Sequence, residues 1–288
     1  ATLRAISMSP LVSICPKPFF SIITVCFNSA TTIERTIKSI LNQNFSDYEY
    51  IIVDGGSTDE TIGIIKKYEP LFQGRLKWKS ESDKGIYDAM NQATAEATGD
   101  YLIYMNAGDT FYADTTLEEI AGQITDPDIS LYYGRCYNET MDVFSNSPLK
   151  LTPFFAYRSM LCHQAMILRR DYIQKKMYDC SYRVCADREV LLDIIMRSHR
   201  KTQYIPTIIA RYKGSGFCEA EENQKKIETE NMRLRADYFT KCQRVKYQAI
   251  ILLTFPSLRK NITRNAKLVK VYKKAVGLLY GNKGVRNG

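Results

Sequence analysis

Hydrophobic and polar positions follow two rhythms along the first 110 residues. Phe20–Cys26 (FSIITVC) is an almost unbroken apolar run rich in β-branched residues, the pattern of a strand buried on both faces. From Asn28 and Ser29 to Leu41 the rhythm becomes helical, with Ile33, Ile37, Ile40 and Leu41 on one face. Tyr48–Val53 predicts a second strand, Glu60–Tyr68 a helix and Leu76–Lys79 a short third strand. Ile86–Ala97 predicts a helix stopped by Gly99, and Tyr101–Met105 a fourth strand. Such alternation predicts right-handed βαβ units and an α/β fold with a mostly parallel sheet flanked by helices.

Beyond residue 110 the alternation loosens. Thr115–Ile124 predicts a helix; Ser130–Tyr137, Gln164–Leu168 and Thr207–Tyr212 predict strands. Asp187–Arg197 (DREVLLDIIMR) is an amphipathic helix, and residues 219–240 are charged and helical.

Charge separates a further region. The 288 residues carry 40 Lys+Arg and 31 Asp+Glu, a formal +9. Twelve of the basic residues and none of the acidic ones lie between Lys241 and Gly288, so residues 1–240 have a net charge of −3. The predicted organisation is an N-terminal extension (1–18), a catalytic domain (19–240, halves 19–110 and 111–240) and a basic tail (241–288). On a helical wheel, Leu258–Tyr280 sets Leu258, Ile262, Val269, Tyr272 and Val276 against Arg259, Lys260, Arg264, Lys267 and Lys270. A basic amphipathic helix of this kind suits an anionic membrane surface. Its charge density would also suit nucleic acid, but no nucleic-acid module accompanies it, so none is expected as a partner.

Eight scattered cysteines without a CxxC pair, together with two histidines, predict reduced thiols and no structural zinc. No apolar run approaches the roughly 20 residues of a membrane span, and no signal peptide is apparent. The expectation is a cytoplasmic protein, peripheral on the inner face of the plasma membrane.

In an open parallel sheet, ligands bind beyond the carboxyl ends of the strands. Polar clusters fall there: Asn28 after the first strand, Asp54 to Asp59 after the second, and Asn106 to Asp109 after the fourth. Loop solvation and helix capping, as by Ser57 or Asp59, are the plain alternatives. There is no Walker A run and no GxGxxG, which argues against an NTPase or a nicotinamide-dependent dehydrogenase. Carboxylates in place of a glycine loop suggest phosphates held through a divalent cation, Mn²⁺ or Mg²⁺.

The ordered segments SIITVCFNS, YIIVDGGSTDET, ESDKGIYDAMNQA and ATGDYLIYMNAGD resemble family 2 glycosyltransferases of the GT-A fold, a Rossmann-like architecture. Bacterial members that build surface polysaccharides and O-antigens are the most similar. The resemblance covers residues 19–215 and implies inverting transfer from a nucleotide-sugar, a UDP-sugar by preference. The enzyme would be a hexosyl- or N-acetylhexosaminyl-transferase. Its acceptor would be a saccharide or a polyprenyl-diphosphate-linked saccharide.

The resemblance also implies roles. Thr24, Val25, Phe27, Asn28 and Ser57 line the nucleotide pocket, and Asp54 reads the base. The turn Asp83-Lys84-Gly85 closes over base and ribose, with Asp88 and Asn91 on the helix behind it. Asn106-Ala107-Gly108-Asp109 stands where the family carries its metal-binding acidic motif. Only Asp109 remains as an acid to hold the metal, while Asn106 is left for ribose. Asp187 takes the position of the catalytic base; its plain alternative is a helix cap. His163, in Cys162-His163-Gln164 where the family often has a His-Gln pair, is a candidate for acceptor or phosphate contact. Lys213 and Gly216 belong to a glycine-rich loop that resembles one folding over the diphosphate. Trp78 is read as packing; Tyr132, Tyr133, Tyr137 and Tyr157 could stack on sugars, with core or surface packing as the plain reading for most tyrosines.

Two other readings were weighed. A nucleotidyltransferase would need a basic triphosphate loop after the first strand, which FNSATT is not. A decayed, membrane-binding relative fits the thinned acidic motif but not the retained Asp54 and Asp187.

Overall fold

A computed structural model describes residues 17–214 and 221–254. The expected helix over Leu258–Tyr280, Gly216 and nearly all of the N-terminal extension lie outside them. The strands are β1 (Phe20–Cys26), β2 (Tyr48–Asp54), β3 (Leu76–Ser80), β4 (Tyr101–Tyr104), β5 (Thr110–Phe111), β6 (Ile129–Asn138), β7 (Val143–Phe144), β8 (Met166–Arg169) and β9 (Lys201–Tyr212). The helices are α1 (Ile33–Leu41), α2 (Thr61–Tyr68), α3 (Ile86–Glu96), α4 (Thr116–Gln123), α5 (Pro153–Arg158), α6 (Arg170–Lys176), α7 (Ala186–Leu192), α8 (Glu221–Tyr238) and α9 (Lys241–Thr254).

Among the described residues there is one nine-stranded sheet in the order β3-β2-β1-β4-β8-β6-β9-β5, with β7 on β6. The pairs β3-β2, β2-β1 and β1-β4 are parallel, as expected of βαβ units. β8 then enters antiparallel to both β4 and β6, and parallel pairing returns between β6 and β9. Two reversals of direction set the carboxyl ends of β1, β4, β6 and β9 and the amino end of β8 on the same edge. That edge is where the site forms.

Helices cover both faces. The period of two sends Ile23, Val25, Ile51 and Val53 to the face covered by α3 and α5–α8. Ile22, Tyr50 and Ile52 meet α1, α2 and α4 on the other. Ile33, Ile37 and Ile40 of α1 are fully buried, each worth roughly 1.5–3 kcal/mol over exposure. A Cβ on Gly99 would stand 2.6 Å from the backbone of Phe20 and Ser21, so close approach to β1 requires glycine there, while α3 already ends at Glu96 with Ala97 at its cap.

Local differences from the sequence reading have physical causes. α1 begins at Ile33, not at Asn28, because Asn28 has φ 46°, a left-handed conformation that asparagine tolerates and a helix does not. β9 begins at Lys201 and runs through Pro206, where its register against β6 is irregular; a proline without an N–H is accommodated at such a break. α7 widens into a π-helical turn over Asp193–Arg197. The tail does not start as a separate body: α9 packs Tyr247 against Phe154, Tyr157 and Phe239. No described helix is long and apolar enough to cross a membrane.

Candidate functional site

A cleft of about 760 Å³ opens at the shared sheet edge. Its donor-side wall comes from turns after parallel strands. Val25 stands near the end of β1 and Phe27 just after it, Asp83 and Gly85 follow β3, and Asn106 to Asp109 follow β4. Phe27 is 61% exposed, an aromatic face turned outward at a strand end. Gly85 has φ 121°, and its amide donates to Asp83 Oδ1 at 2.8 Å. This turn starts α3 without a side-chain cap and suits only glycine.

Several expected donor residues stand behind the wall. Thr24 is fully buried; its hydroxyl donates to Met105 O at 2.6 Å and accepts from Tyr50 Oη at 2.9 Å. It lies on the α1 side of β1, one pleat from Val25, so it locks strands together and does not line the cleft. Asp54 is also fully buried. Its Oδ2 accepts from the Gly56 amide (3.0 Å), the Ser57 amide (2.8 Å) and Ser80 Oγ (2.7 Å). The Ser57 hydroxyl and Cys26 thiol donate to Oδ1. Burial alone would push Asp54 up, but these donors outweigh it and hold the carboxyl below its usual range. The direct base contact expected of Asp54 is unavailable in this conformation; it shapes the loop.

Asn28 and Ser57 belong to the same stitching. Asn28 Oδ1 accepts from the Thr58 amide at 2.9 Å, and Ser57 Oγ accepts from the Asn28 amide at 2.7 Å. Asp59 bonds the amides of Ala30 and Thr61, each at 3.0 Å. Asp88 accepts from the Lys84 amide at 3.1 Å, which fixes the 83–85 turn. The Lys84 carbonyl accepts from Arg183 at 2.6 Å. Asn91 donates to Tyr178 O (2.9 Å) and accepts from the Tyr178 amide (2.8 Å), tying α3 to the second half.

The second half of the chain adds Asp187, His163, Gln164 and Lys213 to the lining. Asp187 is the second residue of α7, and the cap position is Cys185, so the cap alternative fails. Asp187 Oδ1 accepts from the Arg188 amide at 2.7 Å and from Tyr87 Oη at 3.3 Å. His163 Nδ1 stands 3.7 Å from Asp187 Oδ2, beyond hydrogen-bond length. Burial holds the His163 pKa low, although Asp187 opposes this. Burial thus disfavours the protonated imidazole at this position.

Asp109 receives a 2.6 Å hydrogen bond from Gln164 Nε2, and Cys162 Sγ donates to Gln164 Oε1 at 3.1 Å. No sequence spacing links positions 109 and 164; antiparallel β8 does, by bringing its amino end beside the carboxyl end of β4. Gln164 and Arg35 went unassigned in the sequence reading. Arg35 lines the cleft while paired with Glu139 at 3.0 Å. The tyrosines expected to stack on sugars are mostly core: Tyr132, Tyr133 and Tyr157 are buried, and none of the four lines the cleft. Trp78 is partly buried against the core, as expected.

No cluster of three acidic, Cys or His ligands exists among the described residues. A cation at Asp109 would thus need substrate oxygens. The donor set fits that arrangement: one carboxylate, and a buried amide oxygen, Asn106 Oδ1, without a hydrogen-bond partner.

The family model "Glycosyl transferase family 2" matches residues 21–191. A Mycobacterium bovis "PGL/p-HBAD biosynthesis glycosyltransferase" is 33% identical over 201 residues, 69% of this chain and 78% of that protein. Among solved structures, S. aureus TarS 1-349 in complex with UDP aligns with TM-score 0.63 at 17% identity, over 90% of this chain and 79% of that one. The chain spans 49% of a longer TarS structure. A mannosyltransferase from Pyrobaculum calidifontis, in complex with GDP-Man and Mn²⁺, aligns with TM-score 0.58 at 15% identity, over 93% and 88%. These structural likenesses establish the GT-A fold.

Proposed function

The chain belongs to glycosyl transferase family 2, and we propose that it moves a sugar, with inversion, from a nucleotide-sugar to a hydroxyl of a saccharide or polyprenyl-diphosphate-linked saccharide. A UDP-sugar is the donor this reading favours, in surface polysaccharide synthesis, with the basic tail against an anionic membrane face. The observation that carries it is that Asp187 lines the same cleft as the turns bearing Phe27 and Asp109.

In this reading Phe27 and the 83–85 turn hold the nucleoside. The acceptor oxygen attacks C1 as its proton passes to Asp187 Oδ2; the C1–O bond to the diphosphate breaks and its electron pair stays on the leaving oxygen. Asp109 and Asn106 would hold a divalent cation, Mn²⁺ or Mg²⁺, together with diphosphate oxygens. Such a cation, when bound, supplies Lewis-acid neutralisation of the leaving group.

A thermal-shift screen of UDP-, GDP- and dTDP-sugars selects the donor. With that donor, Asp187→Asn should lower nucleoside-diphosphate release by about 10³-fold, within the usual range of general-base contributions, while nucleoside diphosphate still binds. Unchanged release would overturn the base assignment.

A further inference from the structure

We propose that Glu230, on α8, is a positioning residue that sets Asp187 in the cleft; the proposal rests on the reading of Asp187 as the base. Glu230 is far from the catalytic segment in sequence, yet its carboxylate takes three consecutive backbone amides of the strap that leads into α7. Oε1 accepts from the Arg183 amide at 2.6 Å. Oε2 accepts from Val184 at 3.0 Å and Cys185 at 2.9 Å. Successive N–H groups converging on one carboxylate form an anion nest, filled here by the protein's own side chain.

The strap needs such an anchor. Cys185, at the cap position of α7, makes no side-chain cap bond. Two residues later stands Asp187. The neighbouring α8 residue, Asn231, accepts from Arg188 Nη1 at 2.6 Å. Arg188 Nη2 in turn donates to the carbonyls of Ala156 (2.9 Å) and Tyr157 (3.0 Å). Residues 183–188 are thus gripped from α8 at both ends, with Asp187 between the grips.

The same strap touches the donor side. The Val184 carbonyl accepts from Tyr87 Oη at 2.7 Å, and that hydroxyl also lies 3.3 Å from Asp187 Oδ1. Glu230 therefore places the base relative to α3, whose first turn closes the donor wall. Besides the Arg183 bond to the Lys84 carbonyl, that wall has supports of its own: Asp83 holds Gly85 and Asp88 holds Lys84. Losing Glu230 should spoil the base and spare nucleotide binding.

The test is a double-mutant cycle read by nucleoside-diphosphate release from the donor selected above, with water as the acceptor. Glu230→Ala should lower kcat at least tenfold with donor KM within threefold. Added to Asp187→Asn it should cost less than a further threefold, since a misplaced base and an absent base are one loss. Hydrogen exchange should quicken at amides 183–185 in Glu230→Ala while the strands of the sheet keep their protection. Glu230→Gln, which keeps an acceptor oxygen, should retain more kcat than Glu230→Ala, and it serves for the cycle if the alanine variant does not fold. Wild-type kcat in Glu230→Ala, or losses that multiply in full with Asp187→Asn, would overturn the positioning role. Wild-type release in Asp187→Asn alone would instead strike the base assignment beneath it.

Discussion

Phe27, Asp83 and Asp109 reach the cleft on short turns at the ends of β1, β3 and β4; Asp83 is bonded within its own turn, while Asp109 is held from α1 by Thr36 and from the segment before β8 by Gln164. Asp187 reaches the same cleft on a helix whose leading strap is fastened by Glu230, by Tyr87 and, one residue beyond, by Asn231. The donor side is thus assembled mainly from turns at strand ends, with long-range bonds from Gln164 and Arg183 added to them. The acceptor side is assembled by contacts between distant parts of the chain. Changes on the donor side should weaken binding of the nucleotide or its diphosphate, whereas changes on the acceptor side should weaken turnover.

The largest donor-side test is Asp109→Ala. Cation-dependent nucleoside-diphosphate affinity should drop on the order of 100-fold, several kcal/mol being typical of a lost Lewis-acid site. Isothermal titration with and without Mn²⁺ reads it; equal affinity in the two conditions for the unaltered protein would break the metal assignment. Phe27→Ala should raise the nucleoside-diphosphate Kd roughly tenfold, in the range of base–aromatic stacking, with kcat at saturating donor little changed. A kcat loss instead of a Kd change would blur the division between the two walls.

The smallest effect falls on the acceptor side and concerns stability. His163 is buried with its pKa lowered by burial. Unfolded chains therefore take up a proton at position 163 that folded chains refuse, and stability falls as pH drops below about 6.5 toward the folded value. His163→Gln should flatten that part of the melting-temperature profile. An unaltered slope would mean that folding leaves the His163 pKa unshifted, and a steeper acid-side loss that the imidazole is protonated in place and pairs with Asp187.

The apolar run of Phe20–Cys26, the helical spacing of Ile33, Ile37 and Ile40, and the polar ends of β1, β2 and β4 were legible in the sequence. Period and strand-end chemistry are local properties, so the parallel half of the sheet and the place of the cleft could be read from them, whereas the roles proposed for Asp109 and Asp187 rest on the family resemblance. The concentration of positive charge after Lys241 is likewise a property of the sequence alone. What no local pattern carries is the direction in which a strand enters the sheet, or which side of a pleat a residue takes. β8 enters reversed, and so Gln164 meets Asp109. Thr24 and Asp54 turn inward, and so two expected ligand contacts became internal supports. Glu230 reaches the strap of α7 across a long stretch of chain. These pairings arise only when the sheet closes and the helices bury their faces, because burial and backbone hydrogen bonding of the whole domain select them.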